Sequence, residues 1–317
     1  MLKIVGRGSG LPMSSISVCL THYNRPNKLA ATVESLARQT RVPDEVLLWD
    51  DHSLRDPTEI ALSFRNRFPK FIFHRNTHNL NMPGNLNAVL AGASCDYVAN
   101  LHDADIFRPD LIEKWAAALD RHDSAGFVFC GLDTRHDNPF GGQISLPDIP
   151  ALTVGREFFE KWFMGNANSV IWGTVMARKC IYDKLLPFNE KYRNWADVDM
   201  WMRMCQLADV AYVPEPLIIL DNTQTKLRAF SWYKVIVMQE MIGENIQRHY
   251  ANDIAALSMA LEKQRSVLFR RLLRHLAGRL IRCRLGAFYQ GAKVLAAAMR
   301  QERLGDGTLL DFVSRVY

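Results

Sequence analysis

The chain has 317 residues, of which 48% are hydrophobic and 23% charged, and its formal net charge is +6. This length and apolar content allow a complete buried core with an appended second unit, and they argue against a disordered protein. No apolar run approaches the roughly eighteen residues that a spanning helix needs, and the N-terminus lacks the apolar stretch of a secretory signal. The sequence therefore predicts a cytoplasmic protein.

The positive charge is concentrated near the C-terminus. Residues 263–303 hold eleven Lys or Arg and one acidic residue, Glu302, which leaves 28 basic and 32 acidic residues in the rest of the chain. The basic character of the protein therefore belongs to this segment alone.

In the first half of the chain, short apolar runs alternate with segments whose apolar residues recur at helical spacing. Residues 1–13 are rich in glycine and are predicted to form a flexible lead-in. Strands are then predicted over 16–20, 45–49, 71–73 and 97–101, with helices between them. Such alternation predicts an α/β fold in which helices flank a mostly parallel central sheet.

The second half continues this pattern and then changes. A helix is predicted from 110 to 120, another from Asp197 to Leu207, and strands over 126–132, 169–176, 210–213 and 217–220. From about Ser231 the spacing is helical throughout. The predicted organisation is thus a lead-in over 1–13, an α/β domain over 14–228 and a basic helical extension over 229–317.

Three acidic clusters stand out against these elements: Asp50-Asp51, Asp103-Ala104-Asp105 and Asp197-Val198-Asp199. Taken singly, each has an ordinary explanation as a turn, a strand end or a helix cap. However, the first two directly follow predicted strands, and the carboxyl edge of an open α/β sheet is where ligands bind. Their joint occurrence favours one shared site.

The residue types suggest a chemistry for that site. Two carboxylates separated by one residue, such as Asp103 and Asp105, can hold Mg²⁺ or Mn²⁺, which in turn can hold a diphosphate. If the ligand is a sugar nucleotide, such a metal would stabilise the leaving diphosphate. Asp197, at a helix start, would be placed to take the proton of an attacking hydroxyl, whereas Asp199 would point elsewhere on the helix.

Four stretches together resemble the family 2 inverting glycosyltransferases, which have the GT-A fold. They are Ser17-Val18-Cys19-Leu20-Thr21-His22-Tyr23-Asn24-Arg25-Pro26, Asp50-Asp51-His52-Ser53, His102-Asp103-Ala104-Asp105 and Asp197-Val198-Asp199-Met200-Trp201. Residues 173–178 and 186–190 look like the family's acceptor-side strand and helix. The resemblance covers about residues 15–220.

This resemblance implies a role for each matching position. Asp197 would be the catalytic base, and Asp103 and Asp105 would hold Mn²⁺ or Mg²⁺. Trp195 and Lys226 would lie near the acceptor or the diphosphate. The residues implied to contact the nucleotide-sugar donor are Thr21, Tyr23, Arg25, Asp51, Asn79, Asn85 and Asp103.

The sequence departs from the family pattern at two places, which bear on the catalytic base and on whether one sugar or many are added. The family usually shows Glu-Asp at the base, but this chain has Ala196-Asp197. The Gln-x-x-Arg-Trp signature of processive members is also absent, so addition of a single sugar to a hydroxyl-bearing glycan or lipid-linked acceptor is favoured over polymerisation. The implied setting is the assembly of a glycan, polysaccharide or glycolipid.

Two other functions remain open at this point. A sugar-nucleotide pyrophosphorylase also uses metal carboxylates, although it would need a Gly-rich loop where Thr21–Lys28 stands. A non-catalytic glycan-binding or assembly protein would explain the missing glutamate.

The basic segment has the pattern of an amphipathic helix. Phe269, Leu272, Leu273, Leu276 and Leu280 form one helical stripe, away from Arg270, Arg271, Arg274 and Arg282. This pattern favours contact with an anionic membrane on its cytoplasmic face through residues 263–303, although packing on the α/β domain or a second subunit would look similar. No recognition motif accompanies the arginines, so nucleic acid is not expected as a partner.

Overall fold

The computed structural model describes residues 13–134, 142–165, 169–220 and 232–281, together with residues 289, 292 and 296. The chain forms two compact units: Met1–Phe158 with Ile171–Thr225, and Phe159–Val170 with Lys226–Tyr317. Of the predicted lead-in only residue 13 is described, and the predicted boundary between residues 228 and 229 lies outside the described ranges.

Within the described ranges, ten strands of the first unit form one sheet. The strands are β1 (Ile16–His22), β2 (Glu45–Asp50), β3 (Phe71–Arg75), β4 (Tyr97–His102), β5 (Ile106–Phe107), β6 (Ala125–Asp133), β7 (Gln143–Ile144), β8 (Leu152–Thr153), β9 (Val175–Arg178) and β10 (Asp209–Ile219). Neighbouring strands in the sheet follow the order β3-β2-β1-β4-β9-β6-β10-β5, with β7 beside β6 and β8 beside β10. The longest ladders, β1–β2, β1–β4, β2–β3 and β6–β10, are parallel. The predicted α/β fold with a mostly parallel central sheet is confirmed.

Helices follow most of these strands. The helices of the first unit are α1 (Pro26–Ala37), α2 (Thr58–Ser63), α3 (Asn81–Ala91), α4 (Leu111–Arg121), α5 (Gly155–Phe158), α6 (Lys179–Leu185) and α7 (Ala196–Leu207). Short 3-10 turns occur over Arg65–Arg67 and Glu190–Trp195. α3 packs on β1 and β2, α4 on β6 and β10, and α7 on β6.

Both faces of the central strands are buried. On β1, Val18 and Leu20 join a core cluster with Val33 of α1 and Trp115 of α4. Cys19 points to the opposite face, where its thiol contacts the carbonyl of Val89 on α3 at 3.8 Å. Because successive side chains of a strand alternate between faces, helices on both sides are needed to cover such continuous apolar runs.

Two predicted strands differ from the observed ones. The apolar run over 169–176 becomes a strand only at Val175, and Gly173 just before it has φ +84°, which is outside the extended conformation of a strand. The two strands predicted over 210–213 and 217–220 are one strand, β10, whose register shifts on either side of Pro216. Proline cannot donate to the ladder, so the strand continues past it only as an irregularity.

The second unit is mainly helical where it is described. It contains α8 (Trp232–His249), α9 (Ile254–Ile281) and the π-helix Phe159–Met164. The ring of Phe159 stacks on that of His249 with centroids 4.2 Å apart, and the side chain of Gln264 on α9 donates to the carbonyl of Gln239 on α8 at 2.6 Å. The predicted C-terminal helices are therefore confirmed over the described residues.

The predicted apolar stripe of α9 is divided between two environments. Leu272 and Leu276 are buried, whereas Phe269 and Leu273 are each 43% exposed. The side chains of Leu280 and Arg282 and most of the basic segment beyond residue 281 lie outside the described part of the chain. Among the helices that are described, none is both long and apolar enough to cross a membrane.

Candidate active site

The ends of three neighbouring strands bring the first two acidic clusters together. β1 pairs in parallel with β2, placing His22 opposite Asp50, and with β4, placing Thr21 opposite His102. Because these strands end at one edge of the sheet, the acidic residues that follow β2 and β4 both lie beside the end of β1.

Asp103 is buried and already has several partners. Its Oδ2 lies 2.6 Å from Nδ1 of His22 and accepts a hydrogen bond from the backbone N–H of Tyr23 at 3.3 Å. Its Oδ1 pairs with Nη2 of Arg25 at 2.8 Å. A buried carboxylate is stable only when it is paired and hydrogen-bonded, and these contacts supply both conditions. Asp103 thus joins the end of β4 to the turn after β1.

Asp105 is also buried, but its carboxylate is less completely satisfied. Within the described residues its Oδ2 makes no hydrogen bond, and Nδ1 of His102 lies 3.6 Å away. The carbonyl of Asp105 accepts a hydrogen bond from the Thr32 hydroxyl at 2.8 Å, which fixes the turn. A buried oxygen without a hydrogen bond is costly unless a ligand completes it, so Asp105 is well suited to bind one.

Asp197 reaches the same place from the start of α7. A Cβ added at Gly173 would lie 2.6 Å from Cε1 of His102 and 2.9 Å from Oδ2 of Asp197. The absence of a side chain at Gly173 is therefore what allows these three residues to meet. The third acidic cluster thus lies beside the second, as the sequence predicts, whereas Asp199 is fully buried and pairs with Arg203 at 3.6 Å.

The charges of this group affect one another. Burial raises the pKa of Asp197 above the usual range of an aspartate, although neighbouring His102 opposes the shift. Burial acts to lower the pKa of His102, but the carboxylates of Asp105, Asp197 and Asp103 outweigh it, so the net shift is upward. A histidine and an aspartate whose pKa values are both raised therefore lie close together.

The site offers part of a metal-binding set. Among the described residues, no group of three or more His, Cys, Asp or Glu is arranged to hold a metal by itself. Mg²⁺ is often bound through only one or two carboxylates, with phosphate and water oxygens completing its shell. In the described part of the chain, Oδ2 of Asp105 and Oδ1 of Asp103 are both buried without a hydrogen bond. Oδ1 of Asp103 lies 2.8 Å from the Arg25 guanidinium, whereas Nδ1 of His102 is 3.6 Å from Oδ2 of Asp105, so Asp105 fits such a partial site better.

Asp51 belongs to a second polar group at the same edge. Its Oδ1 accepts hydrogen bonds from the backbone N–H of Leu80 at 2.7 Å and from the side chain of Asn76 at 3.1 Å. Asn79 donates to the carbonyl of Asp51 at 3.2 Å, and Asn85 donates to the carbonyl of Trp49 at 3.2 Å. The asparagines proposed from the sequence therefore hold the turn that carries Asp51.

The remaining predicted positions vary in accessibility. Thr21 is half-buried, Tyr23 is 43% exposed at the end of β1, and Trp195 is half-buried immediately before α7. Trp201 is fully buried. Lys226 lies outside the described residues.

Three residues of the site were not given a role from the sequence. His22 and His102 lie within the quoted motifs, but only the folded chain shows that His22 contacts Asp103 and that His102 lies near Asp197. Gly173 is recognisable only by its positive φ and by the absence of space for a side chain. A histidine directly before an Asp-x-Asp pattern was the available signal.

Comparison with known proteins agrees with these features. A family model described as Glycosyl transferase family 2 matches residues 17–185. The putative glycosyltransferase EpsE of Bacillus subtilis is 27% identical over 191 residues, which cover 59% of this chain and 66% of EpsE, slightly less than two thirds of its length. The uncharacterized glycosyltransferase RT0329 of Rickettsia typhi is 24% identical over 257 residues, which cover 76% of this chain and 78% of that protein.

Solved structures show the same fold at lower identity. Residues 1–349 of S. aureus TarS in complex with UDP-GlcNAc match with a TM-score of 0.60 and 15% identity, covering 91% of this chain and 92% of that one. The mannosyltransferase PcManGT from Pyrobaculum calidifontis, in complex with GDP-Man and Mn²⁺, matches with a TM-score of 0.54 and 12% identity, covering 96% and 91%. At these identities the likeness concerns the fold alone.

Proposed function

This chain belongs to glycosyl transferase family 2 and has the GT-A fold, and we propose that it moves one sugar from a nucleotide-diphosphate donor to an acceptor hydroxyl with inversion at the anomeric carbon. The observation that carries the proposal is that His102 and Asp197 meet beside Gly173, while His102 also lies 3.6 Å from Asp105. These groups provide a ligand for the diphosphate side of the reaction and a base for the acceptor side. We assign the reaction to residues 14–228.

The nucleotide would bind at the end of β1. Asp51 is held in place by Leu80 and Asn76 and would accept a hydrogen bond from the nucleobase, while Thr21 and the exposed ring of Tyr23 would line its pocket. Arg25, paired with Asp103 and 36% exposed, supplies a positive charge at the same edge for the diphosphate. Solved relatives of this fold that carry UDP-GlcNAc or GDP-Man support a nucleotide-sugar donor.

Asp197 would act as the general base. As the acceptor oxygen attacks the anomeric carbon, its O–H proton passes to Asp197, the bond between that carbon and the diphosphate oxygen breaks, and the bonding electrons leave with the nucleoside diphosphate. Burial raises the pKa of Asp197, which makes its carboxylate a stronger base than an exposed aspartate. Ala196 stands where the family usually has glutamate, and His102 is instead the ionisable neighbour of the base.

The family suggests a divalent cation, Mn²⁺ or Mg²⁺, and the residues fit one held mainly through Asp105. When bound, such a cation supplies positive charge to the departing diphosphate. Asp103 would become a second ligand only if Arg25 moved away from it. We expect Asp105→Ala to abolish the extra rise in melting temperature that Mn²⁺ gives in the presence of a nucleoside diphosphate, because ligands that bind only the native state stabilise it.

We also propose that the protein acts at the cytoplasmic face of a membrane in glycan, polysaccharide or glycolipid assembly. Support comes from α9, where Phe269 and Leu273 are exposed beside Arg270 and Arg274. Apolar side chains flanked by cations are the arrangement that lies at an anionic membrane surface.

Release of nucleoside diphosphate from a panel of UDP-, GDP-, CDP- and dTDP-sugars with Mn²⁺ tests the main proposal. The wild-type chain should turn over at least one donor in the presence of a sugar or lipid-linked acceptor. Asp197→Asn should lower kcat by about 10²–10⁴-fold while the donor Kd changes less than about twofold, because removal of a general base affects the chemical step.

Asp183→Asn is the matched control, because Asp183 is an exposed aspartate on α6. It should behave as wild type. Full activity of Asp197→Asn would remove Asp197 from the mechanism, and donor binding by the wild-type chain without any turnover would favour a non-catalytic glycan-assembly protein.

A further inference from the structure

Trp172 is an exposed aromatic residue at the edge of the proposed active site. Its side chain is 46% exposed, more than any other tryptophan whose burial the structure describes. It directly precedes Gly173, where a side-chain Cβ would lie 2.6 Å from His102 and 2.9 Å from Asp197. Neither the sequence motifs nor the proposed mechanism gives Trp172 a role.

The backbone around Trp172 is fixed on both sides. Ile171 before it and Thr174 after it are each only 3% exposed. The carbonyl of Gly173 accepts a hydrogen bond at 3.0 Å from the side chain of Asn100, a buried residue of β4. Trp172 is therefore an exposed residue in an anchored segment, and this segment is held to the sheet through Asn100 of β4.

An exposed tryptophan in such a segment contributes less to folding than a buried one would. A buried tryptophan removes a large apolar area from water, and a half-exposed one gives up much of that stabilisation. The flat indole does, however, match one kind of ligand that contacts Asp197. A sugar ring presents a face of C–H bonds that can stack on an aromatic ring while its hydroxyl groups point sideways.

We infer that Trp172 forms an acceptor subsite that stacks on a sugar ring, so that the acceptor is a glycan rather than a non-carbohydrate alcohol. The inference rests on the proposed function, because Asp197 marks the acceptor side only if it is the base. The hydroxyl to be glycosylated belongs to the stacked sugar or to its immediate neighbour, since Trp172 is one residue from Gly173, where a Cβ would lie only 2.9 Å from Oδ2 of Asp197.

Fluorine NMR of the full chain labelled with 5-fluorotryptophan tests this subsite directly. The resonance of Trp172 is the one lost in Trp172→Phe. Titration with the methyl glycosides of glucose, galactose, mannose and N-acetylglucosamine should shift this resonance in a saturable way for at least one of them. Glycerol at the same concentrations should not. If none of the glycosides shifts it, or if glycerol shifts it equally, the inference is wrong.

Kinetics with the glycoside that binds separate this inference from the proposed function. Trp172→Ala should raise the acceptor KM by roughly tenfold with a smaller fall in kcat, in line with the energy of an aromatic stacking contact, and Trp172→Phe should recover part of the loss. Leu62→Ala, at an exposed leucine of α2, should change neither value.

Failure of the proposed function and failure of the Trp172 subsite give different experimental results. If no donor is turned over, the proposed function fails whatever the NMR result. If Asp197→Asn abolishes turnover but Trp172→Ala leaves the acceptor KM unchanged, the glycan subsite alone is refuted.

Discussion

Asp50 and Asp51 are adjacent in the chain, yet their carboxylates have different partners. Asp50 accepts hydrogen bonds from Ser53 and pairs with Nε of Arg75 at 3.0 Å. Asp51 is held by the neutral donors of Leu80 and Asn76. Because no cation pairs with Asp51 within the ranges that the structure describes, its negative charge stays available as an acceptor for a nucleobase N–H.

The proposed sugar transfer should slow at low pH because Asp197 becomes protonated. The proposed base must be ionised to accept a proton, and burial raises its pKa. Therefore kcat/KM should be constant above this pKa and fall about tenfold for each pH unit below it, with the midpoint at higher pH than an exposed aspartate would give. A pH–rate profile measures this directly.

Because Asp197 and His102 interact, the observed midpoint belongs to the pair. A rate that rose on acidification, or a midpoint at or below the ordinary value of aspartate, would contradict the assignment of Asp197 as the base.

Gly173 should tolerate no side chain. Alanine there would place Cβ 2.6 Å from His102 and 2.9 Å from Asp197, at a φ of +84° that costs an L-residue about 1 kcal/mol or more. We expect Gly173→Ala to lower kcat at least tenfold and to destabilise the fold by roughly 1–3 kcal/mol. Donor turnover and urea unfolding are the measurements.

Gly142→Ala provides the comparison, because a Cβ at Gly142 would meet nothing within 4 Å. This variant should match wild type in both measurements. Equal effects of the two substitutions would show that the close approach at Gly173 does not matter.

The residues that could be predicted from the sequence are those whose chemistry follows from local position. Asp51, Asp105 and Asp197 follow strand ends or open a helix, and the pattern alone marks these places. The roles of His102 and Gly173 depend on a contact between segments about seventy residues apart in the chain. A single sequence does not show that these two segments are close in space.

α9 has one face that is packed and one that is exposed, and substitutions of neighbouring leucines can tell them apart. Leu272 is 1% exposed and its neighbour Leu273 is 43% exposed. Leu272→Ala should cost about 2–5 kcal/mol of unfolding free energy in the second unit, because it removes buried methyl groups and leaves a cavity. Leu273→Ala should cost about 0.5 kcal/mol or less.

Urea unfolding followed by circular dichroism would measure both variants. If the two leucine variants lost equal stability, the assignment of the buried face would be wrong.

Helices and strands could be predicted from the sequence where the spacing of apolar residues fits only one of the two. Strands β1, β2 and β4 are continuous apolar runs, so their existence and order could be read directly. The late start of β9 depends on the conformation of Gly173, and β10 continues through Pro216 because its neighbour β6 pairs on both sides of the irregularity. Local propensity does not reveal either effect. The division of the α9 stripe likewise depends on which face meets α8.

For the whole molecule, the separation of charge predicts how the chain meets a membrane. The full chain should sediment with vesicles of phosphatidylcholine and phosphatidylglycerol at low salt, and less with phosphatidylcholine alone. Binding should weaken strongly at 1 M salt, where charges are screened within about 3 Å. The double variant Phe269→Ala with Leu273→Ala should reduce the sedimented fraction several-fold, because the exposed apolar side chains are removed.

Leu54→Ala is the control for this assay, since Leu54 is an exposed leucine of the first unit. It should leave sedimentation unchanged. Binding that is independent of both anionic lipid and salt would refute the electrostatic contribution, and an unaffected double variant would exclude the outer face of α9.

The second unit is built from two stretches that are far apart in the chain, Phe159–Val170 and Lys226–Tyr317. A ribosome delivers Phe159 and Glu160 before it has made their partners, His249 and Tyr250. This unit therefore cannot fold completely until Ile171–Thr225 and α8 have been synthesised, so it is completed late in biogenesis. A nascent chain stalled at Thr225 would lack His249, the stacking partner of Phe159, and apolar surface left exposed in this way makes incomplete chains prone to aggregate.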